Sequence, residues 1–333
     1  MKWKFSANLG FFGARQDRFN QYQPHRSIDE KFDLAAQIQG VSGVELKFPF
    51  DFVSIPQVRT LLDKYDLKLS AVNVDIKDIN YFRYGALTAR DVVNRRHAID
   101  LLCSGMDIAA EFGIGLVTTC PVMDGFDYPF QLDYSDAWGY FIDSIRTVTS
   151  YRRDVTLLLE YQPSDPVAQI LLNNIGKVLY MYSEVGAPNL GANLDVGHAF
   201  AAGESPSEAA CLLTQKGLLH YIHTNDNTGW GGDWDMISGS VHFWHWLEFL
   251  YTLIKLNYCG WFSGDIAPRH FSPVDGYQTN MVMIQNMTHI LEYVGLNTIA
   301  SYIDQEGKTG EIFRLFSQSM SGGHYSDTKQ NGS

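Results

Sequence analysis

The sequence of 333 residues is poor in cysteine and contains no long apolar run. Its four cysteines, at positions 103, 120, 211 and 259, form no CxxC pair, so neither a disulfide framework nor a structural zinc site is expected. No apolar stretch reaches the roughly 18 residues that a membrane span needs, and the N-terminus lacks the apolar core of a secretory signal. We therefore expect a protein of the reducing cytoplasm with no membrane partner.

Positive charge is also scarce, with 25 Lys and Arg against 37 Asp and Glu, a net charge of −12. Nucleic-acid binding requires a basic face, so nucleic acid is not expected as a partner. Hydrophobic residues make up 45% and aromatic residues 14%, which is typical of an enzyme with a large core and unlike a disordered chain. Acidity alone indicates solubility. Only the positions of the carboxylates can indicate a cation site.

Eight short apolar runs recur along the chain, and helical patterns separate most of them. Such runs are typical of parallel strands buried on both faces. No GxGxxG follows the first run, which disfavours the alternative of an open doubly wound sheet. The runs are Lys4–Gly10, Gly43–Pro49, Lys68–Asp75, Ile114–Pro121, Thr156–Gln162, Leu190–His198, Leu219–Asp226 and Gly260–Ala267.

The intervening helical patterns complete an α/β fold, a single (β/α)8 TIM barrel, because eight right-handed strand–helix units close a barrel. An extra C-terminal helix is predicted over Thr298–Gln318, so that residues 1–320 form one domain. Residues 321–333 are polar and rich in Gly and Ser, and a flexible tail is predicted there. The barrel helices are predicted over Asp29–Gln39, Ile55–Tyr65, Val92–Phe112, Ser135–Tyr151, Pro166–Val185, Pro206–Gln215, His242–Leu256 and Ser272–Val294.

Acidic residues and histidines interrupt the ends of four consecutive runs. In a (β/α)8 barrel these ends and the loops that follow them form the active-site face. A carboxylate directly after three leucines, as in LLLEY, is costly to bury without a partner. A lone Asp at a strand end more often caps a helix, but the repetition on successive strands favours a shared site. The residues are Glu160, Asp195, His198, His223, Asp233, Asp235 and Asp265.

Carboxylates this close together repel one another unless a cation compensates, so the set predicts a divalent-metal site. Its oxygen-rich composition suits Mn²⁺, Co²⁺ or Mg²⁺, with one or two ions per chain. One ion is expected on Glu160, Asp195, His223 and Asp265. A second is expected on His198, Asp233 and Asp235, with Asp195 as the bridge.

This pattern resembles the xylose-isomerase-like barrel superfamily over nearly the whole chain, and its metal site is most similar to the L-rhamnose isomerase type. The resemblance implies aldose–ketose isomerisation by a homodimer or homotetramer. These isomerases usually carry lysine two residues after the strand-five glutamate, where this chain has Gln162. A neutral amide donates a hydrogen bond but supplies no full positive charge.

The first functional hypothesis is a metal-assisted hydride shift on an open-chain sugar. Its candidate catalytic residues are Glu160, Asp265, Asp233 and Gln162, and its candidate substrate-binding residues are Lys47, Asn73, Asp75, Trp230, Trp234 and Phe12. Arg15, Arg18 and Arg83 would suit an anionic sugar such as sulfoquinovose. The alternative is a ketose 3-epimerase that transfers protons through an enediol. An endonuclease-type hydrolase and a non-catalytic sugar-binding protein are further alternatives.

Overall fold

The computed structural model describes residues 3–16, 19–165, 168–229 and 232–320. Its centre is a closed barrel of eight parallel strands arranged in chain order, each paired with its neighbours along the chain. This confirms the predicted (β/α)8 fold. The barrel strands are Lys4–Asn8, Val41–Phe48, Lys68–Val74, Leu116–Thr119, Thr156–Leu159, Leu190–Asp195, Leu219–Thr224 and Trp261–Gly264.

Helices surround the barrel, and several begin where the sequence offers a hydrogen-bonding cap. The helices of the described residues are α1 (Ile28–Ala35), α2 (Ile55–Tyr65), α3 (Ile79–Phe82), α4 (Val92–Glu111), α5 (Tyr134–Tyr151), α6 (Ile175–Val185), α7 (Val196–Ala201), α8 (Pro206–Gln215), α9 (Phe243–Lys255), α10 (Pro273–Val294), α11 (Leu296–Ile303) and α12 (Thr309–Met320). The Ser27 and Ser272 side chains accept hydrogen bonds from the first turns of α1 and α10, as N-cap residues do. None of the described helices is both long and apolar enough to cross a membrane.

The prediction of a helix from Pro166 is wrong. Helix α6 begins only at Ile175, because the Asn174 side chain accepts a hydrogen bond from the backbone of Lys177 and caps the helix there. The preceding chain forms a small antiparallel sheet in which Ala168–Ile170 pairs with both Ser164–Asp165 and Gly125–Phe126. This sheet joins the loops that follow the fourth and fifth barrel strands.

The helical extension predicted over Thr298–Gln318 is present, but it consists of two helices, α11 and α12, and not of one. Gly307 lies between them with φ of 78°, a left-handed conformation that glycine adopts without steric cost. The extension contacts the barrel helices, where Trp244 of α9 packs edge-on against Phe313 of α12. The tail predicted at 321–333 lies outside the described residues.

The barrel interior changes from apolar to polar toward the C-terminal ends of its strands. Ala71, Leu158 and Tyr221 form a small apolar cluster in the lower part. Because strand side chains alternate between the two faces, residues two positions further along point to the same interior. Two residues after Leu158 and Tyr221 come Glu160 and His223. The strand geometry therefore brings these polar side chains to the end of the barrel where the C-terminal ends of the strands meet, which is called the upper end below.

Asp124 holds together the loops that follow the third and fourth barrel strands. It is fully buried and accepts hydrogen bonds from the backbone amides of Ala86, Leu87 and Thr88 and from the Thr88 hydroxyl, at 2.5–3.1 Å. Asp124→Asn would turn an amide group toward these donors and is expected to lower the free energy of unfolding by about 2–4 kcal/mol. Urea unfolding measures this, with exposed Asp127→Asn as the control, and equal stability of the two variants would contradict it.

Candidate metal centre and cavity

Four side chains predicted as ligands of one ion meet at the upper end of the barrel. One ligand atom from each of Glu160, Asp195, His223 and Asp265 lies within 4.8 Å of all the others. The Nδ1 atom of His223 is 2.8 Å from Asp265 Oδ2, 3.2 Å from Glu160 Oε2 and 3.8 Å from Asp195 Oδ2. All four residues are buried. The structure thus brings together the complete set expected for the first ion.

The strand register explains why these residues meet. Asp195 ends the sixth barrel strand and stands opposite His223 of the seventh. Glu160 and Asp265 are the first residues after the fifth and eighth strands. Asp195 also caps α7, accepting a hydrogen bond of 2.8 Å from the backbone amide of His198. Two ligands therefore belong to rigid strands, and the other two directly follow strand ends.

Glu45, which sequence reasoning missed, holds the imidazole of His223. Its carboxylate oxygens lie 3.0 and 3.2 Å from His223 Nε2. Nε2 donates its hydrogen to this carboxylate, which leaves Nδ1 as the nitrogen of the ring that can bind a cation. The signal was available in the sequence, since Glu45 interrupts the apolar run GVELKFP as Glu160 interrupts its own run.

The residues at this centre fit a divalent cation. The Nδ1 atom of His223 is buried without a hydrogen-bond partner, although three carboxylates surround it. A carboxylate on the far nitrogen of a histidine is the usual arrangement of a metal-bound imidazole. The donor set of three carboxylates and one imidazole suits Mn²⁺, Co²⁺ or Mg²⁺.

The electrostatics of the centre also favour a cation. Burial raises the pKa of Asp195 to about 7, and the neighbouring carboxylates of Glu160 and Asp265 add to this while His198 opposes it. Burial alone would lower the pKa of His223, but the carboxylates of Glu45, Glu160 and Asp265 raise it well above its usual value. Protons thus compensate the clustered negative charge when no ion is bound, and a metal ion can replace them.

The residues expected to hold a second ion lie next to one another, and their binding of an ion stays a prediction. His198 Nε2 lies 3.2 Å from Asp233 Oδ2, and His198 Nδ1 lies 3.3 Å from Glu160 Oε1. Asp235 is hydrogen-bonded to Asp233 and forms an ion pair of 3.1 Å with Arg15. Burial, with Asp233 and Asp265 nearby, raises the pKa of Asp235 well above its usual value.

A second metal-competent group, meaning a set of side chains that could hold a metal ion, consists of Cys120, Glu160 and His198. One ligand atom of each lies within 4.8 Å of the others. Sequence reasoning did not include this cysteine. Cys120 directly follows the fourth barrel strand, a position equivalent to that of Glu160 on the fifth, and this position was the signal available in the sequence. Burial raises the pKa of its thiol well above the usual value, and the Glu160 carboxylate adds to this.

A cavity of about 230 Å³ opens above the centre. The predicted residues Lys47, Asn73 and Gln162 are on its wall, and Asp75 pairs with Lys47 at 2.7 Å. Gln162 accepts a hydrogen bond from the Cys120 thiol at 3.3 Å and donates one to the Ser164 carbonyl at 3.2 Å. The lining residues are Asn8, Gly10, Phe11, Arg15, Lys47, Asn73, Lys77, Gln162, Asp165, His198, Asp233, Asp235 and Asp265.

Two of the three aromatic residues predicted to bind substrate, Phe12 and Trp234, are described, and they are not on this wall. Phe12 is fully buried and packs against Tyr277 at 4.8 Å between ring centroids, so the structure corrects its role to core packing. Phe11, its neighbour, lines the cavity instead. Trp234 is 41% exposed and is not among the lining residues. Trp230 lies outside the described residues.

The two described arginines suggested for an anionic sugar, Arg15 and Arg83, lie apart from each other. Arg15 is the one on the cavity wall, and it is already paired with Asp235. Arg83 is exposed and lies over the ring of Tyr84. Arg18 lies outside the described residues.

Lys77 is a cavity residue that sequence reasoning did not predict. It is accessible on the cavity wall and lies within electrostatic range of Asp75, Glu160 and Asp165. Arg15 and Lys47, the other basic residues of the wall, are held in ion pairs. Among the described carboxylates, none lies within the 4.0 Å of an ion pair with Lys77. Its charge is therefore available to a bound molecule.

Residues 32–287 match the family of xylose isomerase-like TIM barrels. The match covers more than half of the chain, which belongs to this family. This confirms the superfamily resemblance; the closer likeness to L-rhamnose isomerases stays a prediction.

Solved structures with the same fold include several sugar epimerases. A D-tagatose 3-epimerase-like protein is 16% identical, with a TM-score of 0.70 over 87% of this chain and 98% of that one. The 3-keto-D-glucoside 4-epimerase from E. coli is 17% identical, with a TM-score of 0.67 over 86% and 100%. An L-ribulose 3-epimerase is 13% identical, with a TM-score of 0.65 over 92% and 99%. At these identities the similarity establishes the fold alone.

Proposed function

We propose that the protein is a divalent-metal-dependent sugar epimerase that inverts a carbon next to a ketone. The observation that carries this proposal is the pair of carboxylates from Glu160 and Asp265, whose oxygens lie within 4.8 Å of each other. They extend from the fifth and eighth strands, with the sixth and seventh strands between them. Such a pair suits proton removal from one face of a carbon and proton return to the other.

The epimerases among the structural neighbours support this reaction over the aldose–ketose isomerisation predicted first. The cavity also suits a small polar substrate, because about 230 Å³ is below the roughly 300 Å³ at which pockets for drug-sized ligands begin. The metal is proposed to be Mn²⁺, Co²⁺ or Mg²⁺. The homodimer or homotetramer and the cytoplasmic location stay predictions.

A bound divalent ion would withdraw charge from adjacent substrate oxygens and make the neighbouring C–H bond more acidic. Glu160 removes the proton from that carbon and releases it to solvent, and Asp265 passes a proton taken from solvent to the opposite face. Lys47 and Asn73 bind hydroxyl groups from the cavity wall, and Asn8 donates a hydrogen bond of 3.4 Å to Asp265 Oδ1 that holds this carboxylate in place.

Isomerisation by a hydride shift is the second candidate function, and it is favoured by one observation. His198 and Asp233, both predicted to hold a second ion, lie next to the first centre and contact each other at 3.2 Å. A second ion there would support a hydride shift between two adjacent carbons.

Product analysis in D₂O distinguishes the two functions. The protein is stripped of metal, reloaded with Mn²⁺, Co²⁺ or Mg²⁺, and incubated with ketohexoses, ketopentoses and 3-keto-glucosides. We expect an epimer that carries one solvent deuterium at the inverted carbon, with activity lost on chelation and restored by the ion. An aldose without solvent deuterium would instead support the hydride shift. Full activity of the metal-free protein would overturn both.

Lys77→Met is expected to lower kcat by about 10–100-fold, because a cation beside the cavity stabilises the negative charge that develops on the substrate oxygen. Metal content should not change, since Lys77 belongs to neither of the metal-competent groups. Steady-state kinetics and metal analysis measure the two effects separately. Lys68→Met, at the start of the strand that precedes Lys77, is the matched control and should keep full activity. Equal kcat values for Lys77→Met and Lys68→Met would contradict a role for Lys77.

A further inference from the structure

We propose a second cation site beside the first, formed by Cys120 Sγ, His198 Nδ1 and Glu160 Oε1, so that the two oxygens of Glu160 bridge two ions. The inference rests on the first metal site of the proposed function. The metal-binding test does not depend on which sugar reaction the protein catalyses. Because each carboxylate oxygen has two lone pairs, Glu160 can bridge two ions and still accept a proton.

The two imidazoles of the centre are held in the same way. A carboxylate contacts Nε2 of each, Glu45 for His223 at 3.0 Å and Asp233 for His198 at 3.2 Å. In both rings Nδ1 is buried and has no hydrogen-bond partner. Each carboxylate accepts a hydrogen bond from Nε2, so Nδ1 is the nitrogen of each ring that can bind a cation in the interior.

The two Nδ1 atoms face different oxygens of Glu160. His223 Nδ1 lies 3.2 Å from Oε2, and His198 Nδ1 lies 3.3 Å from Oε1. A ring nitrogen and a carboxylate oxygen at this distance require a proton or a cation between them. The first site places a cation on the side of His223, and the same arrangement suits a second cation on the side of His198.

Cys120 supplies the third ligand of this second site. It directly follows the fourth barrel strand, which pairs with the fifth through Thr119 and Leu159, so Cys120 and Glu160 lie side by side. Bond lengths of 2.0–2.3 Å in a tetrahedral zinc site place neighbouring ligand atoms roughly 3.3–3.8 Å apart. The 3.3 Å between His198 Nδ1 and Glu160 Oε1 agrees with that spacing.

The ligand types indicate which ion this site prefers. One thiolate, one imidazole and one carboxylate favour Zn²⁺ or Co²⁺, whereas the oxygen-rich first site also suits Mg²⁺ and Mn²⁺. Binding displaces the thiol proton of Cys120 to solvent, and three protein ligands leave a fourth position for a substrate oxygen or water. His198 lines the cavity, so that position is open to the substrate. Asp233 then orients His198 and does not bind the ion.

Cobalt titration of the full-length, metal-free protein tests the second site without any turnover. Calorimetry and metal analysis give the stoichiometry, and a thiolate-to-cobalt charge-transfer band in the near ultraviolet reports Cys120 directly. We expect two Co²⁺ per chain and the band in the wild type. Cys120→Ser should bind one Co²⁺ without the band, and Cys103→Ser, a matched cysteine variant on α4, should bind two and keep the band.

Other outcomes separate this inference from the proposed function. A wild type that binds one Co²⁺ without the band and epimerises a ketose would overturn the second site alone. Binding of no Co²⁺ would overturn both proposals. If Asp235→Asn loses the second ion while Cys120→Ser keeps it, the ion is held by His198, Asp233 and Asp235 and the proposal is wrong. The wild-type band decides the question even if Cys120→Ser does not fold.

Discussion

Glu160→Gln is expected to lower kcat/KM by about 10⁴-fold or more and to remove tight metal binding, because general bases alone contribute about 10²–10⁴-fold and the metal adds to this. Glu160 is nearly completely buried, and each of its oxygens faces a different imidazole nitrogen. Asn193 also donates a hydrogen bond of 2.8 Å to its Oε2. An amide keeps the size of the side chain but loses the charge, one acceptor oxygen and the capacity to accept a proton.

Steady-state kinetics and metal analysis of the purified variant measure the two losses. Glu184→Gln, the same substitution at an exposed position near the end of α6, is the control and should retain activity and metal. Urea unfolding of both variants separates a local effect from a loss of fold. A Glu160→Gln variant that retains both bound metal and most of its kcat/KM would exclude Glu160 from the centre.

Glu45→Gln is expected to weaken binding of the first ion by about 10–100-fold, the usual effect of removing the carboxylate behind a metal-bound histidine. Glu45 is fully buried and accepts hydrogen bonds from His223 Nε2, from Asn73 at 2.8 Å and from Ser263 at 2.8 Å. A glutamine can turn its NH₂ group toward Nε2, which favours the tautomer with hydrogen on Nδ1. That tautomer has no lone pair for the ion.

Calorimetric titration with Mn²⁺ measures this effect. Ser263→Ala removes one hydrogen bond from Glu45 but keeps its charge and its contact with His223, and we expect it to change the affinity by less than about 10-fold. If Ser263→Ala and Glu45→Gln weaken binding equally, Glu45 acts through packing and not through the imidazole. An unchanged affinity in Glu45→Gln would show that His223 does not need this carboxylate.

The four residues of the first candidate metal site could be predicted because their proximity depends only on their positions along the strands. Glu160, Asp195, His223 and Asp265 each stand at or near a strand end, and adjacent parallel strands bring equivalent positions to one face. The eight apolar runs were correct as barrel strands for the same reason, since hydrophobic periodicity is a local property. The error at Pro166 arose because pairing of Ala168–Ile170 with Gly125–Phe126 involves a segment distant in sequence.

The residues that were missed have roles that depend on neighbours across the barrel. Glu45 holds His223 from a strand 178 residues away in sequence. Cys120 and Lys77 reached the centre only because the fourth strand pairs with both the third and the fifth. Phe12 is an aromatic residue of the kind that stacks on sugars, but in the structure it packs against Tyr277 in the core.

The sequence by itself determined the barrel and the four carboxylate and imidazole groups at its upper end, because strand periodicity and registry are repeated locally along the chain. Only the tertiary structure decided which oxygen faces which nitrogen at that centre. Glu160 divides its two oxygens between His223 and His198, and Asp235 forms an ion pair with Arg15. These choices follow from side-chain packing and electrostatic repulsion among buried groups, which act between residues that are distant in sequence.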